Sequence, residues 1–195
     1  MSRLYIVLVH APVYNKNMEV ITSSVTNLDI HDIARCAATY GARAYYIVHP
    51  SPAQQDLTHR IMAFWQEGVG AAYNPHRNEA LACVRVVATL DEVRADIAAE
   101  LSAARAAGIT QASRLYTVAT DARLYPNTID YKALRAKMEA DDEAYALIFG
   151  TGWGLVREEM ERADYILQPI YGPSAYNHLS VRSAVAIILD RLCGK

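Results

Sequence analysis

The chain has 195 residues, 52% hydrophobic and 21% charged, with 19 Lys and Arg against 21 Asp and Glu, for a formal charge of −2. This is the balance of a soluble protein with enough apolar residues for one sizeable domain, expected over residues 1–195. It excludes a globally basic surface, so strong nonspecific binding to nucleic acid would need a local basic face. No apolar stretch has the length of a membrane span, and Met1-Ser2-Arg3 runs directly into a strand-like segment with no room for a signal peptide. A cytoplasmic protein with no membrane partner is therefore expected. Cys36, Cys83 and Cys193 are odd in number and far apart. They read as reduced thiols, with neither a disulfide framework nor a metal site.

Strand-like and helix-like segments alternate along the chain. Leu4 to Val9 is a continuous apolar run suited to a strand buried on both faces. Asn27 is placed to cap a helix with Ile30, Ile33, Ala34 and Ala37 on one face, and Gly41 to stop it. Ala44 to Val48 is the next strand. Ser51-Pro52 then opens a helix with Leu57, Ile61, Phe64 and Trp65 facing inward. Residues 67–78 are expected to be a loop, because Gly68, Gly70, Asn74 and Pro75 interrupt any periodicity. Val84 to Ala88 reads as a strand, and Thr89 with Glu92 has capping-box spacing for a helix reaching about Gly108.

Leu115 to Ala119 and Ala144 to Phe149 are further strands, with a helix near Tyr131 to Ala140 between them. A short helix after Gly154, a strand at Tyr165 to Leu167 and a closing helix over Leu179 to Leu192 complete the chain. Such alternation predicts an α/β fold, a parallel sheet with helices on both faces. Ligands of such sheets sit beyond the carboxyl ends of the strands. That points to His10 to Val13, His49-Pro50, Thr120 to Arg123, Gly150 to Gly154 and Pro169 to Asn177.

Three segments carry the chemistry. Phe149-Gly150-Thr151-Gly152-Trp153-Gly154-Leu155 follows a strand directly, and its glycines allow close backbone approach to a ligand as well as a tight turn. A dinucleotide fingerprint is a poorer match, since Gly-x-Gly-x-Gly is not Gly-x-Gly-x-x-Gly. Pro169-Ile170-Tyr171-Gly172-Pro173 leads through Asn177-His178 into Leu179-Ser180-Val181-Arg182-Ser183-Ala184, a second glycine-bearing loop feeding a helix. Asn177 can cap that helix while Ser180 and Ser183 pack against a neighbour. Asn27-Leu28-Asp29-Ile30-His31-Asp32-Ile33-Ala34-Arg35 gathers polar groups on an early helix. Asp29 and Asp32 suit the positive end of its dipole, and His31 and Arg35 lie one turn apart.

Together these segments resemble the three ordered motifs of the SPOUT RNA methyltransferases. More closely, the chain resembles the small SPOUT family sometimes found fused to a tRNA guanine methyltransferase, and the resemblance runs from about Leu4 to Leu192. The resemblance implies a C-terminal trefoil knot around the loop from Tyr165 to Asn177, a homodimer, an RNA substrate (tRNA or rRNA) and S-adenosyl-L-methionine as cofactor. Carried onto this sequence, it implies a cofactor site built from Phe149, Gly150, Thr151, Gly152, Gly154 and Leu155, with Ile170, Gly172, Asn177, Leu179 and Ser180. Thr120 and its neighbours form a third wall.

The early motif departs from that of the ribose methyltransferases, which carry Asn and then Gly-Ala before the Arg. Here Asp29 and Ile30-His31-Asp32 occupy that stretch, and Ser180 stands where their closing motif has Asn, with Asn177 a turn earlier. The methyl acceptor, ribose 2′-hydroxyl or base, is therefore open. Asp29 and His31 are candidate bases and Arg35 a candidate clamp for phosphate or acceptor, in the partner subunit's site if the site spans a dimer. Two other functions fit parts of the sequence: a cofactor-binding dimerisation or RNA-binding module without catalysis, and a nicotinamide enzyme on an ordinary Rossmann sheet.

Overall fold

In the computed structural model, which describes residues 3–195, the chain runs through β1 (Arg3–Val9), β2 (Val13–Tyr14), β3 (Val20–Ile21), α1 (Asn27–Thr39), β4 (Ala44–Val48), α2 (Pro52–Gln66), α3 (Gly68–Tyr73), α4 (Pro75–Leu81), β5 (Val84–Val87) and α5 (Leu90–Ala106). It continues through β6 (Leu115–Ala119), β7 (Thr128–Ile129), α6 (Tyr131–Ala140), β8 (Ala144–Gly150), α7 (Arg157–Arg162), β9 (Tyr165–Leu167) and α8 (Val181–Cys193). Met1 and Ser2, on which the expected direct entry into a strand partly rests, lie outside the described residues.

The six apolar runs become six strands of a seven-stranded sheet in the order β5-β4-β1-β8-β6-β9-β7. All its pairings are parallel. β1 and β8 lie at its centre in register from Arg3 with Ala144 to Val9 with Gly150. Both faces of β1 are covered, which is why its run does not alternate in polarity. Leu4, Ile6 and Leu8 pack with Ile30, Ile33, Val185 and Leu189 of α1 and α8. Tyr5, Val7 and Val9 pack on the other face with Val93, Ile97 and Leu101 of α5.

The late strand β9 sits between the earlier strands β6 and β7. Asp164 fixes its entry: the backbone N–H and hydroxyl of Thr117 both donate to its Oδ2 at 2.8 Å, and Arg114 donates to Oδ1 at 3.1 Å. Burial raises the pKa of this carboxyl, but those donors outweigh it and hold the group below its ordinary value.

Several local expectations need correction. Residues 67–78 are not a loop: Asn74 accepts from the N–H of Arg77 at 3.0 Å, and Pro75 takes the first position of α4. The same Asn-Pro pair that breaks α3 therefore starts the next helix. Gly70 lets α3 fold back onto α2, because a Cβ there would collide with the Phe64 carbonyl. Thr26, not Asn27, caps α1, its hydroxyl accepting from the N–H of Asp29 at 3.2 Å. α8 starts at Val181 with Ser180 as its cap, rather than at Leu179. On α2 the buried residues are Thr58 and Met62, while Leu57 is 37% and Phe64 62% exposed. Trp65 and Ile61 are half-buried. The helix is thus rotated from its expected inward face, because α4 and the edge strand β5 take Met62 and leave an apolar strip outside.

Candidate functional site

A cavity of about 820 Å³ opens beyond the carboxyl ends of β1, β6, β8 and β9, where a parallel α/β sheet binds its ligands. Its walls come from His10, from Thr120 to Arg123, from Phe149 to Gly154, from Leu167 to Ile170 and from the start of α8 with the loop before it. The first turn of α1 closes one side through Thr26 and Asp29, and Lys16 and Met18 of the β2–β3 hairpin stand at the rim.

The glycine loop owes its shape to contacts inside the protein. A Cβ on Gly150 would lie 2.6 Å from the Leu155 nitrogen, where the loop folds over itself. Gly152 has φ +59°, and a Cβ would stand 2.7 Å from the Tyr14 carbonyl oxygen. The β2–β3 hairpin presses on the loop there: Trp153 donates to the Tyr14 carbonyl at 2.8 Å, and Tyr14 donates to the Gly154 carbonyl at 3.0 Å. The glycines thus set the path of a loop whose other side faces the cavity.

The polar floor is a chain of hydrogen bonds. His10 Nδ1 lies 3.0 Å from the Ser23 hydroxyl, which lies 2.6 Å from the Thr151 hydroxyl, which donates to the Val9 carbonyl at 2.9 Å. His49 Nε2 lies 3.1 Å from the Ser23 carbonyl, and its Nδ1 accepts from the Ser51 N–H at 3.0 Å. Burial pushes the His10 imidazole down to about 4; the neighbouring Asp29 opposes that shift and His49 adds to it. His49 is also lowered, chiefly by burial.

Asp29, 4% exposed, accepts from Arg182 Nη1 at 3.2 Å, and Arg182 Nε lies 3.2 Å from Asp32 Oδ2. This joins α1 to α8. Across the cavity, Asp121 accepts from the backbone N–H, Nε and Nη2 of Arg123 and from the Tyr125 hydroxyl. Asn177 donates to the Ala122 carbonyl at 2.7 Å, tying the loop after β6 to the loop before α8.

Of the residues expected at the cofactor, Thr120, Phe149, Gly150, Thr151, Gly152, Gly154, Ile170, Asn177, Leu179 and Ser180 line this cavity. Leu155 is instead buried and bridged to Val13, and Gly172 lies on the exposed outer loop. The three residues considered for catalysis are not gathered in one chain. Asp29 faces the cavity; His31 packs edge-on to Trp65 at 5.7 Å, and Arg35 is exposed on the outer face of α1. Burial, helped by Arg77, lowers the His31 pKa. Sequence reasoning missed Ser23, which no motif or strand-end rule singles out. The strand-end rule marks His10 and the segment from Thr120 to Arg123, which brings Asp121 and Arg123 to the wall, while Arg182, inside the third motif, holds Asp29 from behind it.

A concave, largely apolar cleft with a few inward polar groups, at the strand ends of a doubly covered sheet, defines a small-ligand site on an α/β scaffold. Residues 3–194 match the model of a family described as SAM-dependent RNA methyltransferase, and the chain belongs to that family. A nicotinamide enzyme is thereby set aside. The chain is 44% identical over 191 residues to an uncharacterized protein of Aquifex aeolicus (strain VF5), covering 98% of this chain and 88% of that one. It is 40% identical to a tRNA (guanine-N(1)-)-methyltransferase of Oleidesulfovibrio alaskensis, but spans only 42% of that relative's length.

Among solved structures, the fold resembles a probable methylase family protein from Haemophilus influenzae Rd KW20, with a TM-score of 0.60 at 21% identity, covering 98% of this chain and 65% of that one. It also resembles TrmJ from Z. mobilis ZM4, with a TM-score of 0.60 at 16% identity over 100% of this chain and 69% of the other. The SpoU methyltransferase AviRb from Streptomyces viridochromogenes, solved in complex with AdoMet, gives 0.57 at 16% identity, over 98% and 57%. The fold is therefore that of the SPOUT methyltransferases, as the three motifs suggested, and the cofactor, by the family to which the chain belongs, is S-adenosylmethionine.

Proposed function

We propose that the cavity at the ends of β1, β6, β8 and β9 holds S-adenosylmethionine and presents its methyl group to a nucleotide of tRNA or rRNA, in a cytoplasmic homodimer. The observation that carries this reading is the meeting of the two glycine-bearing loops with the start of α8 around one cavity. The residues fit the group. Phe149, Leu167, Ile170 and Leu179 offer apolar surface to an adenine ring, and the carboxylates of Asp29 and Asp121 suit a cationic sulfonium and ammonium. When bound, the cofactor supplies an activated methyl group that a nucleophile can displace directly.

The work of this chain is to hold the acceptor in line and exclude water. Asp29, fixed by Arg182 and Thr26, orients whatever donor approaches it. Lys16 gives the rim a positive charge suited to phosphate, whereas Arg123 is neutralised by Asp121 and the chain as a whole is slightly acidic.

The position of β9 between β6 and β7 supports a trefoil knot near the Tyr165–Asn177 loop. The exposed apolar residues Leu28, Leu57 and Phe64 on α1 and α2 support a covered face in a dimer. In that dimer Arg35, far from its own cavity, reaches the partner's. The name of the longer Oleidesulfovibrio alaskensis relative supports tRNA as the acceptor.

Arg35→Ala is expected to reduce methyl incorporation at least tenfold, with affinity for S-adenosylhomocysteine unchanged within about threefold, corresponding to ~1.4 kcal/mol or more on transfer alone. The measurement is tritiated-methyl transfer to deproteinised RNA from cells lacking the gene, with calorimetry in parallel. Full activity of the variant removes Arg35 from the site.

A further inference from the structure

We propose that His10 is a catalytic residue of this cavity, its Nε2 receiving the exchangeable proton of the acceptor nucleotide as the methyl group is transferred. The assignment rests on the reading of the cavity as the methyl-transfer site. It begins from a buried group with nothing to bind. His10 is 0% exposed and lines the cavity floor, and its Nε2 has no hydrogen-bond partner among the described residues. Buried polar atoms without partners are uncommon; among the described residues they are His10 Nε2, both ring nitrogens of His31, Arg77 Nε and the Tyr131 hydroxyl. Of these only His10 and Tyr131 line the cavity, where a ligand atom can satisfy them.

The neighbouring network bears on which nitrogen is free. With the Thr151 hydroxyl donating to the Val9 carbonyl at 2.9 Å, the 2.6 Å contact between Thr151 and Ser23 takes its proton from Ser23. The reverse chain, Thr151 to Ser23 to His10, would put the ring proton on Nε2, and ¹⁵N spectra separate the two. The His10 carbonyl, 3.4 Å from the Ser23 hydroxyl, is too distant to compete for that proton. The Ser23 oxygen then has only lone pairs to offer His10 Nδ1 at 3.0 Å, and the ring proton sits on Nδ1. Nε2 is left as a bare lone pair. His49 has the opposite tautomer, since its Nδ1 accepts from the Ser51 N–H and its Nε2 donates to the Ser23 carbonyl. The two rings stand 5.9 Å apart around one serine, each held in a fixed protonation pattern.

The surroundings suit a base that becomes charged only during reaction. Burial keeps the free imidazole neutral throughout the physiological range. The charged and titratable groups around it are Asp29 on α1, with Arg182 of α8 and Asp32 behind it, and His49 after β4. In the transfer step the acceptor's N–H or O–H heteroatom forms a bond to the methyl carbon, and the methyl–sulfur bond breaks with its electron pair left on sulfur. The proton lost by the acceptor passes to His10 Nε2. The positive charge brought by the sulfonium thus ends on an imidazolium beside the Asp29 carboxylate, and leaves to solvent once the products dissociate. An acceptor with no proton to lose has no need of this group, so the assignment favours a ribose hydroxyl or a protonated ring nitrogen.

The test uses His10→Asn. The asparagine amide nitrogen falls close to the place of Nδ1 and keeps the bond to Ser23, while nothing replaces Nε2. The variant is expected to bind S-adenosylhomocysteine within about threefold of the parent and to lose at least 100-fold in methyl incorporation, in the usual range for a positioned base. Added imidazole is expected to restore part of the activity of His10→Ala. Separately, ¹⁵N spectra of histidine-labelled parent protein are expected to show His10 as the neutral Nδ1–H tautomer at pH 7. Activity of His10→Asn within threefold of the parent, loss of S-adenosylhomocysteine binding in that variant, or an Nε2–H tautomer would each overturn the assignment. A parent protein that binds the cofactor but transfers methyl to no RNA overturns the transfer-site reading, and this assignment with it.

Discussion

Gly152→Val is expected to lower stability by about 3 kcal/mol or more and to abolish cofactor binding along with it. Residue 152 sits at φ +59°, where a β-branched side chain is strained by roughly 1–2 kcal/mol. Its Cβ would stand 2.7 Å from the Tyr14 carbonyl oxygen, a backbone atom that cannot swing away. The hairpin must then move off the loop. Its bonds at Trp153 and Tyr14, each worth about 1 kcal/mol, are given up or stretched. For a chain of this length the melting temperature is expected to fall by roughly 6–12 °C, and calorimetry is expected to detect no S-adenosylhomocysteine binding. The cause is the seam between hairpin and glycine loop rather than a methyl group placed in the cleft. A variant that melts like the parent would show that the seam contributes little.

Arg182→Ala is the second large effect. The guanidinium bridges Asp29 on the cavity side to Asp32 on the outer side of α1, and without it Asp29 keeps a buried carboxylate supported only by the Thr26 cap. Removing one partner of a buried pair costs about 3–5 kcal/mol. The Arg182 side chain is 30% exposed, so water can enter in its place, and a loss of ~2 kcal/mol is expected. Denaturant titration gives the number. Adding Asp29→Asn is expected to recover much of it, because the amide leaves no buried charge. If the double variant is as unstable as the single one, Arg182 stabilises the helix pair by packing and not by charge.

The sheet was legible because its strands are continuous apolar runs at the spacing of βα units, and both faces of β1 prove to be covered. Helix ends were read less well. Thr26 and Ser180 cap α1 and α8 where Asn27 and Asn177 were expected, since neighbouring residues of similar capping preference are separated only by the backbone path. Asn74-Pro75 was read as a break and turned out to be both a break and a start.

The cavity lining was largely legible, because loops after parallel strands converge whatever their sequence. The roles of individual residues were not. In sequence the glycine loop fits both a ligand contact and a tight turn, and only the structure brings Tyr14 against Gly152 and Asp121 beneath Gly154. Asp29, His31 and Arg35 share seven residues of one helix yet point to a cavity, a tryptophan and solvent, a division set by α2, α4 and α8 packing around it. Ser23 is polar and unremarkable in sequence; its place between two histidines and Thr151 depends on long-range folding.

The most direct test of the central claim is a calorimetric titration of the parent and of Ala184→Phe with S-adenosylhomocysteine. Ala184 lies on the cavity wall in an ordinary helical position of α8, so a phenyl ring there fills the cleft without straining the backbone. Micromolar binding by the parent and at least 100-fold weaker binding by a folded Ala184→Phe would place the cofactor between the glycine loop and α8. Equal binding by the two proteins would put the cofactor elsewhere and contradict the account.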